Sequence, residues 1–116
     1  MNDNDVREIK SFAGILRKDI VTMIQKAGSG HPGGSLSAAD AVAVLYKRHM
    51  HQDSRNPGME DRDRFVLSKG HCAPLLYAVL AELGYFPHSK LSDFRKYGSI
   101  LQGHPDCRKT PGVEIS

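Results

Sequence analysis

A single short apolar segment, residues 65–67 (Phe-Val-Leu), stands among stretches whose apolar residues recur at helical spacing. The segment follows a charged stretch and precedes a glycine-containing loop, a pattern typical of a strand that is buried on both faces. The order helix, helix, strand, helix predicts an α/β domain with a parallel sheet. Because a lone strand has no ladder partner, we expect further residues or a partner chain to complete this sheet.

Two helices are predicted before this segment. The first begins near Asp5, which has an acidic residue three positions on, and ends at Gly28. Residues 29–35 contain three glycines and a proline, which predicts a tight loop. The second helix is predicted to start at the capping pair formed by Ser37 and Asp40.

Two more helices are predicted after the segment. Pro74 suits the first turn of a third helix, which Gly84 closes. A short fourth helix is predicted at about residues 90–97, and residues 101–116 are predicted to be a loop.

Composition excludes several classes of protein. The 116-residue chain has no apolar run long enough to span a bilayer and no basic start followed by an apolar stretch, so we expect neither a membrane protein nor a secretory signal. Its two cysteines, Cys72 and Cys107, are interpreted as unrelated thiols of a cytoplasmic protein. The net charge of +3 comes from scattered basic residues without interleaved aromatic residues, so nucleic-acid binding is not indicated.

Three histidines share one local setting. His31, His71 and His104 each follow a glycine in a predicted loop, and a proline follows the first and the last of them. Glycine allows a sharp turn and the close approach of a ligand. Histidine can move protons near neutral pH or hydrogen-bond a substrate hydroxyl. We therefore interpret the three as site residues, with simple turn chemistry as the alternative.

A zinc site is a further alternative for this set. The three histidines and the two cysteines are potential ligands, but no two of them show the usual spacing of zinc ligands in sequence. The other histidines lie in polar stretches and are predicted to be surface residues: His49, His51 and His88.

The loops resemble a known family when taken together. Residues 29–34 (Ser-Gly-His-Pro-Gly-Gly) resemble the first histidine loop of transketolases. Residues 63–71, followed by residues 73–77 (Ala-Pro-Leu-Leu-Tyr), resemble the second loop. Residues 101–105 (Leu-Gln-Gly-His-Pro) resemble the third, and residues 110–114 (Thr-Pro-Gly-Val-Glu) the segment after it. The resemblance covers nearly the whole chain in the same order, and its Ser-Lys-Gly-His form is most similar to split transketolases, whose halves are separate chains.

The resemblance implies both a fold and an activity. The fold would be the thiamine-diphosphate-binding fold, a parallel sheet with helices on both faces, of which this chain is the incomplete N-terminal part. The activity would be thiamine-diphosphate-dependent transfer of a two-carbon ketol unit from a ketose phosphate to an aldose phosphate. His31 and His104 would bind the sugar and assist its proton transfers, and His71 would lie against the cofactor.

The chain also departs from the family pattern. The Gly-Asp-Gly motif and the later asparagine that hold Mg²⁺ on the diphosphate are absent, and so is the glutamate that activates the cofactor. We therefore interpret residues 1–116 as the N-terminal part of the diphosphate-binding domain, truncated before the metal motif, with no metal ligands of its own. This chain alone is expected to be inactive and to bind the cofactor weakly. Its expected partners are sugar phosphates and a C-terminal transketolase half or subunit, in a dimer of complete units, with no nucleic acid or membrane.

Two other interpretations of the same motifs stay open. The chain could be a non-catalytic remnant or interaction module of this fold, although a remnant has no need of all three histidines. It could also belong to an enzyme similar to deoxyxylulose-phosphate synthase. Those enzymes usually lack a proline after the first histidine, so Pro32 favours transketolase.

Overall fold

The computed structural model describes residues 1–115. Four α-helices lie within this range, joined by π-helical and 3₁₀ turns and by irregular backbone. The α-helices are α1 (Asp3–Ala27), α2 (Pro32–Ser37), α3 (Ala39–Val44) and α4 (Ala73–Leu83). The shorter turns are a π-helical turn that extends α3 (Leu45–His49), a 3₁₀ turn before α4 (Gly70–Cys72) and a 3₁₀ turn after it (His88–Asp93).

Helix α1 begins two residues earlier than predicted. Its N-cap is Asn2, whose side-chain oxygen accepts a hydrogen bond from the Asp5 backbone N–H at 2.9 Å. The Asp5 carboxylate accepts one in return from the Asn2 backbone N–H at 3.1 Å. Asp5 is therefore the third residue of a capping box and not the cap itself. The predicted end is confirmed, since Gly28 is the C-cap in the left-handed conformation, with φ of 71°.

The second predicted helix is present as α3 and starts at Ala39, but the predicted capping by Ser37 is wrong. Helical backbone already begins at Pro32, whose fixed φ suits the first position of a helix. The Ser37 hydroxyl donates a hydrogen bond back to the Gly34 carbonyl at 3.0 Å and caps no following helix. Ala38 separates α2 from α3, so the loop after α1 is shorter than predicted.

The core is built around α4, which is apolar on all sides. Its residues 73–81 are buried without interruption, which is the pattern of a helix enclosed by other elements. Helix α1 packs against α4 and α3 through one face. That face comprises Ile9, Phe12, Ala13, Leu16, Ile20 and Met23. The predicted position of Pro74 in the first turn of α4 and the end of α4 at Gly84 are both confirmed.

The predicted strand does not form within the described residues. Residues 65–67 have irregular backbone, and no strand pairing occurs anywhere in residues 1–115, so the parallel sheet is not confirmed. Val66 is 50% exposed, so the prediction that both faces are buried is wrong. Phe65 packs edge-to-face on Tyr46, with ring centroids 5.8 Å apart. The physical reason is that a β-ladder needs a second strand, and no described residue supplies one.

The C-terminal third is mostly irregular. The predicted helix at residues 90–97 is wrong, since a 3₁₀ turn covers His88–Asp93 and turns follow it. The predicted loop after residue 101 is confirmed up to residue 115, and Ser116 lies outside the described residues. The Glu114 carboxylate ties this tail to the rest through Arg62, with Nη2 to Oε1 at 2.8 Å and Nε to Oε2 at 3.0 Å. Within residues 1–115 no helix has the length and apolar character needed to cross a membrane.

Candidate functional site

Each of the three histidines lies where a regular element begins or a loop turns. His31 is the N-cap residue of α2. His71 is the central residue of the 3₁₀ turn that leads into α4. His104 lies in the irregular tail between Gly103 and a proline. All three side chains belong to exposed residues, so solvent or a ligand can reach them.

The structure brings the three histidines together. His31, His71 and His104 all line one cavity of about 250 Å³, together with Pro74, Phe94, Arg95 and two glycines. The rings of His31 and His71 meet edge to face, with centroids 6.4 Å apart. Residues separated by more than 70 positions therefore face one small space. Three imidazoles around one cavity can exchange protons with several hydroxyls of a bound polyol.

His104 lies directly over the backbone of the second histidine loop. A Cβ atom added at Gly70 would be 2.7 Å from the His104 Cδ2 atom, closer than real Cβ contacts allow. Glycine at position 70 is therefore what permits the tail loop to bring His104 next to His71.

A buried tyrosine supports the His104 loop from below. The Tyr77 hydroxyl, from the middle of α4, donates a 2.6 Å hydrogen bond to the Gln102 carbonyl, two residues before His104. Tyr77 is fully buried and packs edge-to-face on Phe94, with centroids 6.0 Å apart. Burial raises the pKa of Tyr77, so its hydroxyl keeps the proton that it donates. This hydrogen bond thus connects the His104 loop to the buried core.

A larger groove adjoins the histidine cavity. It has a volume of about 460 Å³ and shares His71 and His104 with the smaller cavity, while Gly70 lines only the groove. Its other wall is apolar and includes residues 65–67, which the sequence assigned to a strand, and Ile115. His71 and His104 therefore stand at the boundary between a polar cavity and an apolar groove. This combination suits a ligand with both an apolar ring and a polar end.

Arg95 was not among the site residues predicted from the sequence. Arg95 lines the histidine cavity and has a φ of 65°, which is unusual for a residue other than glycine. Its backbone N–H donates a 2.8 Å hydrogen bond to the Leu101 carbonyl, which closes the loop in front of His104. Strained backbone of this kind clusters at functional sites, and a guanidinium can bind anionic oxygens there.

The zinc alternative for the histidine and cysteine set is not supported. Cys72 is buried in the core and Cys107 lies at the surface. In the part of the chain that the structure describes, one group of three His, Cys, Asp or Glu side chains has ligand atoms within 4.8 Å of one another. That group is Asp19, Glu82 and His88, and none of its members lines the histidine cavity.

Comparisons with known proteins agree on one family. Residues 8–116 match the family model "Transketolase, thiamine diphosphate binding domain". The chain is 45% identical over 109 residues to the 6-deoxy-6-sulfo-D-fructose transketolase subunit SqwG of Clostridium sp. (strain MSTE9), covering 94% of this chain and 40% of that subunit. It is 44% identical over 105 residues to the chromosomal transketolase of Cupriavidus necator, covering 90% of this chain and 16% of that enzyme.

Solved structures give the same result. Transketolase from Leishmania mexicana superposes with a TM-score of 0.88 at 40% identity, over 90% of this chain and 16% of that one. The chain thus spans less than half the length of these relatives. Its fold is nonetheless that of the matching part of transketolase, and the chain belongs to the transketolase family, in its thiamine diphosphate binding domain.

Proposed function

We propose that this chain supplies the histidine side of a transketolase active site. The reaction would transfer a two-carbon ketol unit from a ketose phosphate to an aldose phosphate, and the rest of the enzyme would complete the site. The observation that carries the proposal is the single cavity lined by His31, His71 and His104. These are the three positions at which the loops resemble those of the family.

The proposed roles follow from what each side chain can reach. His31 and His104 bind the sugar and exchange protons with its hydroxyls, because both line the polar cavity. Arg95, in the same cavity, offers a cation to anionic oxygens of the substrate. Pro74 and Phe94 give the cavity an apolar floor that limits the positions a sugar can take.

The groove beside the cavity fits the cofactor implied by the family. His71 borders both spaces, so it can contact thiamine diphosphate in the groove while a sugar occupies the cavity. Gly70 also lines the groove, and because it has no side chain, His104 can lie against its backbone there. When bound, thiamine diphosphate supplies the nucleophilic carbon that carries the two-carbon unit. The imidazoles of this chain would hold the protons that the sugar gives up, because they line the adjoining cavity.

The remaining parts of the site would come from residues beyond this chain. No group of three ligand side chains borders the groove within residues 1–115, so Mg²⁺ on the diphosphate would be held by those other residues. Residues 65–67 and Ile115 line the same groove. We propose that residues 65–67 join a parallel sheet once neighbouring strands are present. A C-terminal half or subunit would provide the rest, in a cytoplasmic dimer of complete units.

The isolated chain is expected to bind the cofactor poorly. It offers imidazoles and an apolar groove but no metal clamp for the diphosphate, so most of the binding energy of that group is missing. Isothermal titration with thiamine diphosphate and Mg²⁺ should show no saturable binding at micromolar concentrations. Micromolar binding would show that this chain carries a complete cofactor site.

A graft tests the function itself. In this experiment the chain replaces the matching 105-residue segment of the Cupriavidus necator transketolase, and we call the product the chimaera. Because 44% of the aligned residues are identical, the chimaera is expected to fold and to transfer ketol units at a rate within about tenfold of the parent enzyme. A folded chimaera that binds the cofactor without ketol transfer would favour a non-catalytic remnant. Condensation of pyruvate with an aldehyde phosphate instead would favour the synthase alternative.

A further inference from the structure

A second cluster of polar side chains lies where three elements meet. Asp19 comes from the middle of α1, Glu82 from the last turn of α4, and His88 opens the following 3₁₀ turn. The His88 Nε2 atom is 2.9 Å from Glu82 Oε2 and 3.3 Å from Asp19 Oδ1. One ligand atom from each residue lies within 4.8 Å of the other two. Residues distant in sequence thus converge on a single point.

The cluster contains an unsatisfied buried oxygen. Asp19 Oδ2 is shielded from solvent and has no hydrogen-bond partner among the described residues, and the Asp19 side chain as a whole is only 11% exposed. The titratable groups that act on Asp19 are a second carboxylate, Glu82, and the imidazole of His88. Two carboxylates accept but do not donate, so a cation or a proton is needed between them. Burial, together with Glu82, raises the pKa of Asp19 to about 7.

The spacing of the three side chains is close to that of the ligands of a tetrahedral zinc ion. Zinc bonds to imidazole nitrogen and carboxylate oxygen are about 2.0–2.2 Å long, which places the ligand atoms of a tetrahedral site about 3.3–3.6 Å apart. The 3.3 Å distance from His88 Nε2 to Asp19 Oδ1 lies in this range. The 2.9 Å distance to Glu82 Oε2 is shorter, so the bound ion would move these two atoms a few tenths of an ångström apart. Two carboxylates and one imidazole form a mixed oxygen and nitrogen ligand set that suits zinc better than magnesium. A cavity of about 180 Å³ beside Asp19 and His88 leaves room for a water as a fourth ligand.

We propose that Asp19, Glu82 and His88 form a binding site for Zn²⁺. The ion would supply the positive charge that the facing carboxylates lack, and it would tie α1, the end of α4 and the 3₁₀ turn together. Lys26 also lines the adjoining cavity, but its Nζ atom contacts the Ser92 hydroxyl at 3.4 Å. The site is structural, because it joins elements of the core and is independent of the proposed ketol transfer.

Zinc titration of the full chain tests the site. In a chelator-free buffer at neutral pH we expect saturable binding of one Zn²⁺ and a rise in Tm of several degrees, since a ligand of the native state stabilises it. Asp19→Asn, Glu82→Gln and His88→Ala should each weaken binding at least tenfold and abolish the rise in Tm. His88 is 58% exposed, so His88→Ala tests the site even where the carboxylate variants fold poorly.

The control is another exposed histidine beside a carboxylate. His51 is 62% exposed and lies 3.4 Å from Asp61, but residues 1–115 place no third ligand beside the pair, so His51→Ala should bind Zn²⁺ like the unmodified chain. Absence of saturable binding by the unmodified chain would overturn the proposal. So would binding that His88→Ala leaves unchanged, because the ion would then lie elsewhere.

Discussion

The His104→Ala variant of the chimaera is expected to transfer ketol units about 10²–10⁴-fold more slowly than the unmodified chimaera, the range typical of losing a positioned acid–base group. The His104 ring lies against Gly70 and lines the same cavity as His71. Its loss should therefore remove a proton-exchange group and not disturb the fold, because the side chain lies outside the core. Steady-state kinetics with a ketose phosphate donor and an aldose phosphate acceptor give the measurement.

Two further variants sharpen this test. His104→Asn keeps a hydrogen-bond donor but cannot exchange a proton near neutral pH, so it should recover part of the sugar affinity with little of the rate. His51→Ala removes an exposed histidine that lines neither cavity, and its rate should equal that of the unmodified chimaera. A loss of less than threefold for His104→Ala would contradict the proposed catalytic role.

The Gly34→Ala variant is expected to lower the free energy of unfolding by about 1–3 kcal/mol, the usual cost of overpacking a filled interior. A Cβ atom at position 34 would collide with the sulfur of Cys72, a fully buried residue just before α4. Ser35, next in sequence, is also buried and donates a hydrogen bond to the Cys72 carbonyl at 3.2 Å. Residues 34 and 35 of α2 are therefore in close contact with Cys72. Chemical denaturation of the chain measures the effect.

The neighbouring glycine provides a matched control. A Cβ atom added at Gly33 would have no heavy atom of another part of the chain within 4 Å. Gly33 lies in the same helix as Gly34, α2. Gly33→Ala should leave stability unchanged or raise it slightly, because alanine favours helical backbone more than glycine does. Equal losses for both variants would show that glycine flexibility, and not the contact with Cys72, explains the effect at position 34.

Elements fixed by local chemistry could be predicted from the sequence. Helix α1 and helix α4 show apolar residues at helical spacing and end at Gly28 and Gly84, so their extents were predicted closely. The start at Pro32 was missed because a capping pattern at Ser37 competed with it. The prediction of a strand at residues 65–67 was wrong for another reason. Its burial depends on neighbouring strands, which no local pattern reports.

The site was predictable to the extent that motifs mark it. Glycine before each histidine indicated three ligand-facing loops, and the structure places all three on one cavity. No motif in the sequence indicates Arg95, because its place in the cavity depends on a left-handed backbone and a hydrogen bond to Leu101. His88 was predicted to be a surface residue, and it is exposed. Its convergence with Asp19, 69 positions away, arises from the packing of α1 on α4 and leaves no local trace in sequence.

The enclosure of α4 on every side has a consequence for how this part of the protein can diverge. A helix with one solvent face accumulates neutral replacements there, but residues 73–81 have no such face. Ala78 has no exposed surface, so a larger side chain there would have to displace its neighbours. Each buried leucine of α4 would leave a void if it were shortened. Related proteins should therefore differ in this helix mainly by paired replacements that conserve the total side-chain volume. The exposed face of α1 should accept single replacements.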